Sequence, residues 1–276
     1  MAISRTQYYF LAGALVLTGA LYFADTKMSD EPEADALITG QTGTFESRLQ
    51  ESKNALDQSG KSSVAALEER LKQSGDEDTA VLAQLGRTWD GFNSPAISAY
   101  YFETIAQRTP GESQWLNAAY RYFDAFKSAD DSLFRADMVQ KAIDCYKKVI
   151  ELNPANLDAK TDLGVCYAEG TPQPMQGIML LREVVAADPD HEYAQFNLGV
   201  LSVKSGQLEK AVERFSRVLE INPANHDAGF LLGRCYAELG QKDKAVAALE
   251  SVKKGADDAQ LLQQTDNLIH QISTNQ

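Results

Sequence analysis

The sequence predicts an all-α protein, in which helix-turn-helix repeats stack behind one N-terminal transmembrane helix. Three observations lead to this prediction. Prolines recur at intervals of 44, 35 and 34 residues, other residues recur in step with them, and an uncharged apolar segment lies near the start of the chain. The recurring prolines are Pro110, Pro154, Pro189 and Pro223. A period near 34 is typical of stacked helix pairs, because each pair leaves an apolar face that only the next pair can bury.

The repeat is clearest in the C-terminal half of the chain. Three copies begin with a Leu-Gly pair, two of them followed by a tyrosine: Leu163-Gly164 with Tyr167, Leu198-Gly199, and Leu232-Gly233 with Tyr236. Each copy then places a small residue four positions before a larger apolar one, as in Ala211 and Phe215. This spacing resembles the tetratricopeptide repeat family. The resemblance implies a right-handed superhelical solenoid in which the glycines let two antiparallel helices approach closely.

The repeat and the local composition divide the chain into segments. They are an N-terminal tail (1–7), a transmembrane anchor (8–24), an acidic flexible tether (25–44), an N-terminal helical hairpin or cap (45–77), five repeats (78–111, 112–156, 157–191, 192–225 and 226–254) and a C-terminal capping helix (255–276). The second repeat is enlarged by the excess Lys127–Val139, which keeps helical spacing and therefore predicts longer helices.

The segment Tyr8–Ala24 contains no charged residue and has 17 residues, which is the short end of a membrane span. Tyrosines at both of its ends fit the headgroup region. We expect a retained single-pass anchor; a cleaved signal peptide is the alternative, although Thr18-Gly19-Ala20 is a poor cleavage site. Arg5 precedes the span and an acidic cluster follows Ala24, which favours a cytoplasmic N-terminus. The repeats would then lie outside the cytoplasm, in the periplasm if the source is a diderm bacterium.

Helical spacing continues from Phe45 to Gln73, with an interruption predicted at Ser59-Gly60. The preferred interpretation is a helical hairpin that caps the first repeat. An oligomerising coiled coil is the alternative, although the spacing sustains fewer than four heptads.

The charge and the reactive side chains exclude several classes of function. The net charge is −13 and no basic run exists, which argues against nucleic-acid binding. An odd number of cysteines without local pairing motifs predicts buried thiols, with a disulfide between Cys145 and Cys166 as the exception to test. The three histidines have no spacing typical of a metal or catalytic site. We therefore expect no enzyme, metal or cofactor. The cysteines and histidines are Cys145, Cys166, Cys235, His191, His226 and His270.

One insertion interrupts the third repeat. Gly170–Gly177 contains two prolines and is expected to form a stiff, exposed bend, either a structural spacer or a loop that contacts a partner.

The family resemblance also places certain residues of each first helix on a concave groove. The expected partner-binding residues are Tyr193, Phe196, Asn197, Val200, Lys204, Phe230 and Arg234. The lysine and asparagine with which some relatives clamp a carboxylate are absent, so chaperone-tail binding is not expected. An apolar, aromatic groove suits an amphipathic helix or an extended hydrophobic segment. Alternatively, the capping helix or the fold itself covers these residues.

These observations predict a non-enzymatic, membrane-anchored scaffold that recruits a protein partner. The arrangement resembles that of single-span bacterial tetratricopeptide proteins in cell-envelope secretion and assembly complexes. It also resembles import receptors whose repeats face the cytosol. A self-oligomerising structural protein, assembled through residues 45–73, is the alternative from another class.

Overall fold

The structure is a computed structural model that describes residues 45–75 and 77–274. These residues form thirteen helices and no strand. The helices are α1 (Phe45–Ala55), α2 (Gln58–Gln73), α3 (Thr79–Gly91), α4 (Pro95–Arg108), α5 (Glu112–Ser128), α6 (Ser132–Leu152), α7 (Leu157–Gly170), α8 (Pro174–Ala187), α9 (Glu192–Lys204), α10 (Leu208–Ile221), α11 (His226–Glu238), α12 (Lys242–Gly255) and α13 (Ala259–Thr274).

The predicted anchor (8–24) and tether (25–44) lie outside the described residues. Within the ranges that the structure describes, none of the helices is both long and apolar enough to cross a membrane. The chain divides into a unit that ends at Glu51 and a compact unit that begins at Ser52. All packing considered below lies within the compact unit.

Five successive helix pairs occupy the predicted repeats, from α3–α4 to α11–α12. In each pair, three residues connect the two helices. In three of these connections the middle residue has a positive φ: Asn93 at 53°, Gly206 at 72° and Gly240 at 72°. The backbone N–H of each of these residues donates to the carbonyl three residues earlier in the preceding helix, and this bond ends that helix tightly.

The helices of a pair approach closely where the sequence places glycine. A Cβ added to Gly177 of α8 would lie 2.6 Å from the backbone nitrogen of Ala168 in α7. A Cβ at Gly199 would lie 2.7 Å from the ring of Phe215, which is fully buried. The core therefore runs through the interfaces within and between pairs. Its largest fully buried side chains include Leu85, Trp89, Tyr122, Phe126, Tyr146, Leu181, Phe215 and Leu249.

The enlarged second pair consists of a 17-residue helix, α5, and a 21-residue helix, α6. The excess Lys127–Val139 forms the end of α5, a three-residue connection and the first turns of α6. Asp131 caps α6 by accepting from the N–H of Phe134 at 2.6 Å.

Two local predictions are wrong. The break between the first two helices lies at Leu56-Asp57 rather than at Ser59-Gly60, because Asp57 caps α2 and accepts from the Gly60 N–H at 2.7 Å. Gly170–Gly177 is not an insertion: α7 ends at Gly170 and Pro174 begins α8, so the connection is as short as in the other pairs.

The two ends of the compact unit pack against the neighbouring pairs. Val64 of α2 is buried, and α2 contacts α3. At the other end, α13 packs against α12 and α11 through Ile272 and Leu268. Oligomerisation through residues 45–73 stays a prediction.

Candidate partner-binding surface

The first helices of the second, third and fourth pairs lie side by side. α5 contacts α7, and α7 contacts α9. We call the surface they share the A-helix face. Of the predicted groove residues, Tyr193, Phe196, Asn197, Val200 and Lys204 belong to α9, and Phe230 and Arg234 belong to α11, the first helix of the fifth pair.

The structure places the apolar groove residues partly inside the core. Phe196 is half-buried, and its ring meets the ring of Phe215 edge-on, with the centroids 5.8 Å apart. Val200 packs against the same cluster. Phe230 packs against the cluster that contains Leu249 and Ile272, so the capping helix covers part of it. These three side chains therefore stabilise contacts between helices and offer only part of their surface to a partner.

The polar groove residues form bonds within the chain. Lys204 Nζ lies 2.7 Å from Glu169 Oε1, and Arg234 Nε lies 3.4 Å from Glu238 Oε1. Asn197 donates from Nδ2 to the carbonyl of Tyr193 at 2.7 Å. Tyr193 itself is 41% exposed. Of the seven predicted residues, it is the aromatic one that reaches solvent most.

Glu169 joins the three helices of the A-helix face. Its carboxylate binds Lys127 of α5 at 2.6 Å and Lys204 of α9 at 2.7 Å. Burial raises the pKa of Glu169, but the hydrogen bonds and charges of the two lysines outweigh burial and hold that pKa below its usual range. The carboxylate is therefore ionised at neutral pH and fixes the spacing of α5, α7 and α9.

Asp162 of α7 was not predicted as a site residue. It is only 7% exposed, and its Oδ2 accepts a hydrogen bond from the Tyr146 hydroxyl at 3.0 Å. Burial raises its pKa to about 6, although the bond from Tyr146 opposes the shift. The sequence shows only an acidic residue beside the apolar run that starts at Leu163, which does not distinguish a buried carboxylate from an exposed one.

Two exposed tyrosines flank this carboxylate. Tyr120 of α5 is 39% exposed, and its ring meets that of Tyr146 edge-on at 6.1 Å. Burial and the negative charge of Asp162 raise the pKa values of Tyr120 and Tyr193. The A-helix face thus presents two phenols beside a buried acid.

A cavity of about 410 Å³ extends the same face towards the first pair. Tyr120, Asp124 and Asp90 line it. Arg121 also lines the cavity. Asp90 binds its guanidinium at 2.7 Å, and the guanidinium carbon lies 3.8 Å from the centre of the Phe102 ring. The lining thus combines one aromatic ring with a mixed set of polar and charged side chains, which suits a partner segment that carries both apolar and hydrogen-bonding side chains.

The cysteines and histidines are spread along the compact unit. The three cysteines are free and buried, and burial raises the pKa of each thiol. His191 is the N-cap of α9, His226 begins α11, and His270 lies on α13. Across residues 45–75 and 77–274, no group of three or more His, Cys, Asp or Glu side chains is arranged to hold a metal ion.

Sequence comparison supports the repeat assignment. Two profiles described as tetratricopeptide repeat match residues 202–264 and 133–156. The human mitochondrial import receptor subunit TOM70 is 22% identical over 161 residues, which is 58% of this chain and 25% of the human protein. The Bos taurus BBSome complex member BBS4 is 29% identical over 130 residues, which is 44% of this chain and 23% of that protein. The chain thus spans about a quarter of the length of these relatives.

Solved structures share the fold. A tetratricopeptide repeat protein from Parabacteroides merdae is 15% identical, covers 83% of this chain and 87% of its own, and has a TM-score of 0.58. The type IV pilus biogenesis factor PilW is 17% identical, covers 72% and 92%, and has a TM-score of 0.53. MamA is 19% identical, covers 62% and 94%, and has a TM-score of 0.51. Together with the observed helix pairs, these matches show that the chain has the stacked helix-pair fold of these proteins, and the tetratricopeptide repeat profiles match two segments of it.

Proposed function

We propose that this chain is a non-enzymatic, membrane-anchored scaffold that binds a segment of a protein partner on its A-helix face. Proteins with these repeats are generally scaffolds and adaptors that bind other proteins. One observation carries the proposal: Tyr120 and Tyr193 expose their rings on either side of Asp162. Exposed aromatic side chains on a rigid surface are typical of binding hot spots.

The test is a site-specific crosslink. A photoreactive side chain at Tyr193 in the full chain is expected to crosslink a defined partner in membranes of the source cells, because Tyr193 lies in the contact. Tyr120→Ala, introduced into that photoreactive chain, should reduce the yield by at least about tenfold if the ring is a hot spot. A crosslink yield that Tyr120→Ala leaves unchanged contradicts the proposed surface.

The matched control uses two other exposed apolar side chains. Met175 and Met179 of α8 are 60% and 58% exposed and do not line the A-helix face. Met175→Ala with Met179→Ala should leave the crosslink intact. Phe196 and Phe230 are unsuitable for this test, because their removal also disturbs packing between helices.

The membrane location rests on the sequence of residues 8–24, which is uncharged and apolar. We propose a single-pass anchor with a cytoplasmic N-terminus and repeats on the other side of the membrane, as part of a cell-envelope secretion or assembly complex. Protease added to intact cells and to spheroplasts tests this orientation. Repeats degraded in spheroplasts but protected in intact cells indicate a periplasmic location. Protection in both preparations contradicts it and favours an import-receptor-like arrangement that faces the cytosol.

A further inference from the structure

A second cleft lies between α8, α9 and α10. It has a volume of about 510 Å³. On α9, its lining includes Leu198, Leu201 and Ser202, whereas Tyr193 and Asn197 belong to the A-helix face. At 3.6 residues per turn, Ser202 lies opposite Tyr193 on α9, and Leu201 lies between them, one turn after Asn197. We call this second site the α9 cleft.

The repeat register explains why the α9 cleft is open. Ser202 lies three residues after Gly199, the position held by Tyr167 after Gly164 and by Tyr236 after Gly233. Tyr236 packs against the buried cluster that α10 and α11 form, which includes Phe215 and Leu232. Ser202 is far smaller, and its hydroxyl donates back to the Leu198 carbonyl at 2.8 Å. The α9 cleft is therefore the space that a tyrosine ring fills in the neighbouring repeats.

A basic residue contacts each of those tyrosines, and basic residues also occur at the equivalent positions of the repeat that contains Ser202. Lys147 Nζ lies 5.8 Å from the centre of the Tyr167 ring, and Lys244 Nζ lies 5.4 Å from that of Tyr236. Arg182 occupies the position equivalent to Lys147 in the next repeat, at the same distance before the following proline. Lys210 occupies the position equivalent to Lys244 in the preceding repeat. Arg182 and Lys210 both line the α9 cleft. Each neighbouring tyrosine thus contacts one cation, whereas the α9 cleft has a basic residue at both of these positions and no ring.

These cations also lack acidic partners. Lys210 Nζ binds the neutral Gln207 at 2.6 Å, and the nearby Arg214 binds the neutral Gln195 at 2.8 Å. Arg182, Lys210 and Arg214 take part in none of the ion pairs found among the described residues. Glu213 is the one acidic side chain in the lining, against these three basic ones. Because the whole chain carries 39 acidic and 26 basic residues, a cleft with an excess of basic groups is unexpected. Their charge complements carboxylates from outside the chain.

We propose that the α9 cleft binds an extended acidic segment of a partner protein. The segment inserts one phenylalanine or tyrosine ring beside Ser202, above an apolar floor that includes Ile178, Val185 and Leu201. Neighbouring aspartate or glutamate side chains of the segment pair with Arg182 and Lys210. This site is independent of the A-helix face, so the two surfaces can hold two segments at once.

The probe is a labelled acidic peptide, Glu-Glu-Phe-Glu-Glu, titrated against the full chain in detergent micelles and followed by fluorescence anisotropy. Saturable binding is expected, and replacing the phenylalanine with alanine should weaken it by at least about tenfold. Ser202→Tyr fills the slot with the side chain that the adjacent repeats carry, so it should preserve the fold and weaken binding by at least about tenfold. Tyr193→Ala, on the other side of α9, should leave this binding unchanged.

Arg182→Glu with Lys210→Glu provides a second variant. Because both side chains are exposed, the replacement is expected to keep the fold. Its affinity for the acidic peptide should fall by at least about tenfold. The proposal is overturned if the wild-type chain shows no saturable binding, or if Ser202→Tyr binds as tightly as wild type. It is also overturned if the site binds phosphatidylserine vesicles or a second copy of the chain in place of the peptide. None of these outcomes depends on Tyr120 or Tyr193, so they leave the A-helix proposal to its own test.

Discussion

Asn225 donates a hydrogen bond to Glu192 across the boundary between two repeats. Its Nδ2 lies 2.8 Å from Glu192 Oε1, while its Oδ1 accepts from the N–H of Ala228 at 2.9 Å and so caps α11. One amide therefore fixes the start of a helix and ties it to the start of the first helix in the preceding pair. Asn222 adds a second bond to the same Glu192 oxygen at 3.0 Å.

The same arrangement recurs at two other boundaries. Asn156 caps α7 and donates to Glu112 Oε1 at 2.8 Å. Between these boundaries, His191 accepts from the N–H of Ala194 at 3.3 Å and places Nε2 3.2 Å from Asp158. Three different boundaries thus use one loop side chain both as a helix cap and as a link to the previous repeat.

Removal of Asn225 should cost more than removal of its partner. Asn225→Ala loses the cap of α11 and is expected to destabilise the fold by about 1–2 kcal/mol, whereas Glu192→Ala leaves that cap intact. Urea unfolding of both single variants and of the double variant measures the coupling between the two residues. Equal losses in both single variants would show that the cap contributes nothing beyond the bond to Glu192.

Gly177 should not tolerate a methyl group. A Cβ there would lie 2.6 Å from the Ala168 backbone nitrogen and 2.8 Å from the Ala168 Cβ, so α7 and α8 would have to move apart. Gly177→Ala is expected to destabilise the fold by about 1–3 kcal/mol, even though alanine favours a helix. Gly91→Ala is the control, because nothing lies within 4 Å of its added Cβ. Thermal unfolding compares the two variants, and equal stability would contradict the close approach.

The cysteines should react slowly in the native protein. Cys166 and Cys235 have no exposed surface and Cys145 has 2%. Burial also raises the pKa of each thiol, which lowers the fraction of reactive thiolate. A thiol reagent such as dithionitrobenzoate is expected to label the native chain at least about a hundredfold more slowly than the urea-unfolded chain. Rapid native labelling would show that these helices open readily.

Labelling of a single thiol after unfolding would reveal a disulfide between the other two.

The repeat architecture could be predicted from the sequence because it depends on local, periodic signals. Leucine, glycine and proline recur at positions where close approach and helix ends require them, and the structure has two helices in each predicted repeat. The misplaced break at Ser59-Gly60 shows the limit of such signals. Glycine usually indicates a turn, but here Asp57 caps the helix and keeps Gly60 inside its first turn.

The binding surface was harder to predict because it depends on contacts between distant residues. Phe196 lies at a groove position of the repeat, yet it packs on Phe215 of its own pair. Lys204 carries a charge suited to a partner, yet Glu169 binds it. Asp162 gave no distinctive signal, because its burial arises from the packing of neighbouring helices, among them α6, whose Tyr146 bonds to it. The partner-binding assignment of the predicted groove residues remains a prediction.

The stability of the fold should depend on the ionisation of Asp162. Its carboxyl group has a pKa of about 6 in the folded chain, mainly because of burial, against 3.8 for an ordinary aspartate. Above pH 6 the folded state holds a buried charge, whereas the unfolded chain solvates it. As the pH falls from 8 towards 4, the folded state binds the proton first, so this group makes the free energy of unfolding rise. The difference between these two pKa values corresponds to about 3 kcal/mol.

Asp162→Asn should remove this pH dependence. The amide cannot ionise, and its oxygen can still accept the hydrogen bond from Tyr146. We therefore expect the variant to be more stable than wild type at pH 8, by up to about 3 kcal/mol, and to lose most of that advantage near pH 4. Urea unfolding at several pH values measures the difference in the free energy of unfolding between the two proteins.

Asp243→Asn, at an exposed position of α12, controls for the loss of one negative charge. A constant difference between wild type and Asp162→Asn from pH 4 to 8 would mean that Asp162 titrates like an exposed aspartate. In that case, the tyrosines of the A-helix face would surround a solvated carboxylate.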